Sequence, residues 1–285
     1  MSRITYVNGA FVPEEEAKVS IFDRAFLMAD GVYEVTTVIG GKLIDFPGHM
    51  ARLKRSLGEL RMAVPADEAE LLAIHRELVS RNALNEGLIY LQVSRGVADR
   101  DFLFPPEGTP PGLVLFTQAL PVLHRESVRR GLKVASMPDL RWARRDIKTV
   151  QLLYPSLAKT EAKAKGADDA WLVDDQGFVT EGSSNNAYIV KDDKVRTREL
   201  SHSLLHGITR AAVMSFAAAE GISFEERPFT IAEAKDADEA FITSASAFVT
   251  PVVSVDGAPV GTGEPGPVTK RLREIYITES LKRAV

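Results

Sequence analysis

Asp146-Ile147-Lys148-Thr149 opens, and Thr180-Glu181-Gly182-Ser183-Ser184-Asn185-Asn186 closes, the stretch whose reading decides the fold of this chain. Between them lie an Ala/Lys/Glu-rich segment, Gln151 to Lys165, and an apolar run, Ala170-Trp171-Leu172-Val173. The segment spells a helix despite Pro155, closed by Gly166 as a C-cap. The run is a short strand, and Asp174-Asp175-Gln176-Gly177 after it reads as a hairpin turn. A lysine thus stands just ahead of a helix and a carboxylate just past a strand, and element ends are where sites are usually built. Lys148, with Ile147 and Val150 close by, has the surroundings of a buried Schiff-base amine. Glu181, among small polar residues, has those of a charged partner for a ring nitrogen. Spacing alone fits a surface lysine and a polar turn at least as well.

Composition narrows the classes. A chain of 285 residues implies about two domains, and it is long enough to bury a large core without staples. Formal net charge is −4 and no basic block stands out, which argues against nucleic acid as a partner. The absence of cysteine excludes disulfides, thiolate catalysis and Cys-ligated metals. His202 and His206 are spaced i, i+4, but no acidic or cysteine ligands accompany them, so we read them as structural and expect no metal. The first residues hold no apolar signal core and no run approaches membrane-spanning length, so the expectation is a cytoplasmic protein with no membrane partner.

Outward from the deciding stretch, Tyr6-Val7-Asn8-Gly9-Ala10-Phe11-Val12 reads as a hairpin on an Asn-Gly turn. Val32 to Val38 is β-rich, with a second turn at Gly40-Gly41. Within it, Tyr33 could offer a phenol to a substrate carboxylate, although a half-buried sheet tyrosine is common. Pro47 starts a helix whose core stripe is Met50, Leu53, Leu57 and Leu60, with Arg52, Lys54 and Arg55 off the stripe. A second amphipathic helix spans Asp67 to Asn82, and strands follow at Leu88 to Val93 and Leu113 to Phe116. The loop between those strands, Val97 to Pro111, is long and proline-bounded, a habit of functional loops. These patterns predict a small α/β domain over 1–118, a linker over 119–125 interrupted by Pro121, and a large domain over 126–285. In the latter, Gly207, Ile208 and Thr209 open a helix that runs to Glu220, and free N–H groups at such a start are a natural phosphate cradle. The closing helix, Pro267 to Arg283, carries no readable chemistry.

Asp-Ile-Lys, the long gap and Thr-Glu-Gly-Ser-Ser-Asn together resemble the signature of the class IV (fold-type IV) pyridoxal-phosphate aminotransferases, with the nearest likeness to their D-amino-acid (D-alanine) branch. The likeness runs from about Tyr6 to Gly257. Asp30-Gly31-Val32-Tyr33-Glu34-Val35 is similar to the D-amino-acid branch, where branched-chain enzymes more often show Phe-Glu-Gly. The resemblance implies an α/β (α+β) fold of two lobes with pyridoxal 5′-phosphate between them. It implies that Lys148 is both Schiff-base former and general acid/base, and that Glu181 keeps the pyridine nitrogen protonated. His49-Met50-Ala51-Arg52-Leu53 resembles the segment whose arginine holds the phosphate, and it is this likeness that selects Arg52. Gly207, Ile208, Thr209, Ser244 and Ala245 match phosphate-gripping positions, and Leu205 matches the residue packed on the ring.

The same resemblance implies amino transfer from a D-amino acid to a 2-oxo acid such as 2-oxoglutarate or pyruvate. It also implies a homodimer in which the loop around Arg100 caps the neighbouring chain's pocket, with Tyr33 and Arg100 holding the substrate. Two departures stand out. Arg100-Asp101-Phe102 replaces the usual Arg-x-His of the carboxylate trap, and Ala245 stands where members often have Thr. A branched-chain L-amino-acid aminotransferase, an (R)-amine transaminase and an aminodeoxychorismate lyase share the fold and the lysine. A non-catalytic α/β protein is the remaining alternative.

Overall fold

Asn8 and Gly9 take positive φ, 46° and 98°, and fold the first hairpin back on itself. Both residue types tolerate that conformation, which is why the turn is written there. From this point a computed structural model describes residues 2–285. The chain divides into two units, one formed by residues up to Pro121 with 147–151 and 284–285, the other by 122–146 with 152–283.

In the first unit the elements run β1 (Ile4–Val7), β2 (Ala10–Pro13), α1 (Arg24–Met28), β3 (Gly31–Ile39), β4 (Lys42–Leu43), α2 (Phe46–Glu59), α3 (Glu68–Arg81), β5 (Glu86–Ser94) and β6 (Gly112–Ala119). The strands form one antiparallel sheet in the order β2-β1-β6-β5-β3-β4. Alternation along the strands sends Val32, Val38, Ile89, Leu91 and Leu115 into a core with Met50, Leu53 and Leu57 of α2 and Leu71, Ile74 and Leu78 of α3. Asp67 caps α3 by accepting from the Glu70 amide at 2.8 Å. Tyr33, Tyr90 and Phe116 stack in series, with ring centroids 5.4 and 4.9 Å apart.

Residues 147–151 join this unit because β3 leaves its first residues open on one edge. The Tyr33 amide donates to the Lys148 carbonyl at 3.0 Å, and the Val150 amide to the Gly31 carbonyl at 3.1 Å. Val32 and Thr149 form the bridge between them. Open strand edges are paired when a segment can reach them.

The second unit continues with α4 (Glu126–Arg130), β7 (Leu132–Pro138), α5 (Leu153–Ala164), β8 (Asp169–Val173), β9 (Val179–Gly182), β10 (Asn186–Lys191), β11 (Lys194–Thr197), α6 (Ile208–Ala219), β12 (Phe224–Glu226), α7 (Ile231–Lys235), β13 (Glu239–Ser244), β14 (Phe248–Val255), β15 (Ala258–Pro259) and α8 (Pro267–Lys282). Its mixed sheet follows the order β12-β11-β10-β13-β14-β7-β8-β9, with β15 paired to β14. Strands β14, β7 and β8 are parallel, and β10, β13 and β14 antiparallel. Trp171, Val179, Ile189, Phe229, Ile242 and Val252 are among its buried core.

Three local expectations are adjusted. The helix read from Gln151 begins at Leu153, which puts Pro155 in its first turn, where a missing N–H breaks no helical bond. Its C-cap is Lys165, and Gly166 follows at φ 79°. Glu181 lies inside β9, paired across from Leu172, rather than past a strand end, because the Asp174–Gly177 turn returns the chain as a second strand. Among the described residues no helix is long and apolar enough to cross a membrane.

Candidate active site

Lys148 is held by its neighbours in the chain. Ile147 and Thr149 are buried, Ile147 in the core of the first unit, so Lys148 lies half-buried between two fixed points. Its Nζ stands 4.1 Å from the centre of the Tyr33 ring. An ammonium over a phenol face gains about 0.5–2 kcal/mol, enough to bias a four-carbon stem toward one direction. The strand pairing described above is thus what brings Lys148 and Tyr33 together across more than a hundred residues of sequence.

Arg52 is 7% exposed, although its place off the apolar stripe suggested a solvated charge. The reason is Glu34, a carboxylate inside the apolar strand β3. Arg52 Nε and Nη2 donate to its two oxygens at 2.7 Å each, and His49 Nδ1 lies 2.7 Å from Oε2. Burial pushes the Glu34 carboxyl up, but Arg52 and then His49 outweigh it and hold it at about 2. Strand alternation turns Glu34 to the opposite side of β3 from Tyr33. A glutamate in the middle of Val32–Ile39 was the available sign of such a partner.

Arg100 is exposed at the tip of the loop between β5 and β6, its guanidinium 5.4 Å from the centre of the Phe102 ring. No hydrogen bond or ring contact joins it to Tyr33 among the described residues. Asp101 turns its carboxylate inward to the loop, accepting from the Leu103 amide at 3.0 Å.

In the second unit, Glu181 is buried and accepts from three groups. Arg141 Nη1 donates to Oε1 at 2.6 Å, Asn186 Nδ2 to Oε2 at 3.0 Å, and the Leu205 amide to the two oxygens at 3.2 and 3.1 Å. Burial raises the Glu181 carboxyl above its ordinary value, while Arg141 and the Leu205 amide pull it back. Arg141 also grips Asp139 through Nε and Nη2 at 2.9 and 2.8 Å, and Thr180 Oγ1 donates to Asp139 at 2.7 Å. Burial works against the Arg141 charge, and the two carboxylates overcome it. The basic turn before Lys148 therefore contains arginines that are no solvated charges, Arg141 and Arg145, both drawn to Asp139. Asn186, the last residue of the motif quoted above, bonds the Glu181 carboxylate directly, a role the sequence reading did not assign to it.

Gly207 is the N-cap of α6 and offers no side-chain cap to the first helical amides, those of Ile208 and Thr209. Its φ of −66° is ordinary. What requires glycine is space, since a Cβ would collide with Asn186 Oδ1. Asn186 Nδ2 also donates to the Leu205 carbonyl at 3.0 Å, so one asparagine ties Glu181, Leu205 and the start of α6 together. Ser244 and Ala245 lie half-buried in the tight turn from β13 to β14, with the Ser244 and Ser246 hydroxyls 3.5 Å apart. Phe248 closes that turn, buried at φ 58°, a strained value for a bulky residue. Arg273 of α8 donates to the Ala247 and Val249 carbonyls on either side of it, at 2.8 Å each. Nothing in the sequence pattern marked Arg273.

The first unit thus carries an oriented lysine amine, and the second carries a buried, hydrogen-bonded carboxylate, a helix start without a side-chain cap and a hydroxyl-bearing turn. A family model described as "Amino-transferase class IV" matches residues 31–255. The chain is 40% identical over 272 residues to the D-alanine aminotransferase of Staphylococcus aureus (strain COL), spanning 94% of this chain and 95% of that one. It is 38% identical over 266 residues to that of Bacillus licheniformis, 93% of each. Among solved structures, the T.th. branched-chain amino acid aminotransferase with pyridoxamine 5′-phosphate matches with a TM-score of 0.90 at 32% identity, over 99% of this chain and 95% of that chain. The Escherichia coli branched-chain enzyme matches with a TM-score of 0.87 at 27% identity, over 98% and 95%. With most of its length matched by the family model and by relatives of about 40% identity, the chain belongs to the class IV aminotransferases.

Proposed function

We propose that this aminotransferase uses pyridoxal 5′-phosphate to move the amino group of a D-amino acid to a 2-oxo acid such as 2-oxoglutarate or pyruvate. The observation that carries the reading is the pairing of Lys148 with Tyr33, in a chain similar over 94% of its length to D-alanine aminotransferases. The donor set fits the cofactor. It offers an amine over a ring, a buried carboxylate that can face a protonated nitrogen, and a helix N-terminus without a side-chain cap for a phosphate. Bound, the cofactor supplies a carbonyl for amines to add to and a ring that accepts the electron pair left at Cα. Lys148 would hold it, and the Lys148 amine would serve as the acid/base for the proton at the substrate's Cα. Glu181, neutralised in part by Arg141, holds a proton at the ring nitrogen. Ile208, Thr209, Ser244 and Ala245 would hold the phosphate together with Arg52, which Glu34 keeps in place, and Leu205 would flank the ring. Tyr33 of one chain and Arg100 of the neighbouring chain orient the substrate carboxylate.

A branched-chain L-amino-acid aminotransferase is the second reading, supported by the TM-score of 0.90 to the T.th. enzyme. The higher identity to the D-alanine enzymes, 40% against 32%, favours the D-amino-acid reading. A paired assay with D- and L-amino acids and 2-oxoglutarate separates the two. Turnover of D-alanine or D-glutamate is expected, and a strong preference for L-leucine or L-valine would overturn the D-specific reading.

A further inference from the structure

The loop between β5 and β6 is anchored from beneath by three largely buried charges. Arg24, the first residue of α1, and Arg95, just past β5, both donate through Nε to the same oxygen of Asp30, Oδ2, at 2.7 and 2.8 Å. The side chains of Arg24, Asp30 and Arg95 are 3, 12 and 9% exposed, so these are not surface pairs that salt and water would dissolve. Each arginine then reaches onward into the loop. Arg24 Nη1 donates to the Asp101 carbonyl at 2.9 Å. The Arg95 guanidinium lies 3.7 Å from the centre of the Phe104 ring. Its remaining nitrogens close the end of α2, donating to the Leu60 and Arg61 carbonyls at 2.9 and 3.2 Å.

The neck of the loop is closed as well. A Cβ on Gly96 would collide with the Pro110 carbonyl, and one on Gly112 would press within 2.5 Å of Ser94 Oγ. The Arg24 amide donates to the Gly96 carbonyl at 2.9 Å, and Ser94 Oγ to Asp23 at 2.6 Å. With the neck pinned, the direction of the tip depends on its inner contacts, at Asp101 and Phe104. Those two residues bracket Phe102, and Asp101 directly follows Arg100. Asp30 in turn precedes Gly31, which accepts from Val150 beside Lys148, and the Asp30 carbonyl accepts from the Arg95 amide at 3.2 Å.

We propose that Arg24, Asp30 and Arg95, with Phe104, are positioning residues for the substrate. They hold the Arg100 loop in one direction relative to Asp30, just before β3, and so present Arg100 to the pocket that the loop caps in the proposed homodimer. The inference rests on the proposed role of Arg100 in holding the substrate carboxylate. None of the four touches substrate in this account. Their effect is to cut the cost of ordering Arg100, and such costs are subtracted from binding.

The test uses the holoenzyme and two variants. Arg24→Lys keeps a cation for Asp30 but cannot also reach the Asp101 carbonyl. Phe104→Leu changes a half-exposed loop residue, keeps an apolar side chain and removes the ring under Arg95. For each, hydrogen exchange of residues 98–106 and the KM and kcat for D-alanine are measured. Faster exchange confined to the loop is expected, with KM raised about three- to tenfold and kcat within about twofold. Unchanged loop exchange in both variants would overturn the anchor. Faster exchange with unchanged KM would remove Arg100 from substrate binding and with it the positioning role, while leaving Lys148 and Glu181 untouched. A fall in kcat alone, without a KM change, would mean a general structural defect and would equally overturn the proposal.

Discussion

Arg141 Nη1 and Glu181 Oε1 meet at 2.6 Å, both nearly sealed from solvent. A carboxylate in this position would be expensive to bury alone, and a guanidinium with a second carboxylate, Asp139, on its other edge offsets that cost. The pair also stops Glu181 from rotating, because Asn186 and the Leu205 amide grip it from the other side. The carboxylate is therefore presented in one orientation, as a partner for a ring nitrogen requires.

Glu181→Gln keeps size and most hydrogen bonds but removes the charge. Turnover should fall about 10²-fold or more, the range for loss of an electrostatic contribution of this kind, with the cofactor still bound. Arg141→Met strands the Glu181 carboxylate in the interior. It should cost about 3–5 kcal/mol of stability, the usual result of removing one partner of a buried pair, read from urea denaturation. Unchanged turnover in Glu181→Gln would mean that another group protonates the ring.

Lys148→Ala should abolish turnover. Borohydride reduction and peptide mapping of the wild type should attach the cofactor to Lys148. Lys159 belongs to the face of α5 and pairs with Asp169 at 3.7 Å, so a label on it would overturn the assignment.

Glu34 gives the protein an acid-sensitive joint. Its ordinary value is near 4.5 and its folded value about 2. A carboxyl lowered on folding contributes stability that is full above about pH 4.5 and is lost as pH falls through about 2. Glu34→Gln should therefore be less stable than wild type at pH 7, by a few kcal/mol, since each tenfold change in proton affinity is worth about 1.4 kcal/mol. The gap should narrow between pH 4.5 and pH 2. Denaturation of both proteins at about pH 7, 5 and 3.5 checks this, and a gap that widens on acidification would contradict it.

Phe102 packs toward Arg100 but cannot donate a hydrogen bond, unlike the histidine that the family resemblance leads one to expect there. Losing one bond to a charged group costs roughly 1.5–3 kcal/mol. Phe102→His should lower the KM for D-alanine about tenfold and leave turnover of (R)-primary amines unchanged or reduced. No effect on either class would mean that the loop is not the carboxylate grip.

A homodimer is the expected assembly. Phe102 and Leu103 are 80 and 76% exposed, and large apolar side chains held open on an anchored loop are a common mark of an interaction surface. Sedimentation at assay concentration should give a dimer, and a catalytically active monomer would remove the reason for the claim.

Much of the architecture was legible because it is local. The Asn8-Gly9 turn, the Asp67 cap and the stripe Met50, Leu53 and Leu57 each depend on residues within a few positions of one another. The same holds for the return of the chain at Asp174–Gly177. The family was legible for another reason, the resemblance carried by the two motifs around Lys148 and Glu181. The boundary of the helix after Lys148 was displaced because a proline is compatible with a first turn as well as with a break, and the pattern cannot separate the two.

What the sequence by itself determined, then, is the set of elements and the family. Tertiary structure decided the company the polar groups keep. Glu34 draws Arg52 and His49 inward across 18 and 15 residues, and Asn186 makes Gly207 obligatory from a distant part of the chain. Asp30 joins arginines from α1 and from the end of β5 on one oxygen. Apart from Glu34, whose place in an apolar strand marked it, these charges read along the chain like solvated ones. Only the close approach of strands and helices strips away the water and leaves an opposite charge as the remaining partner.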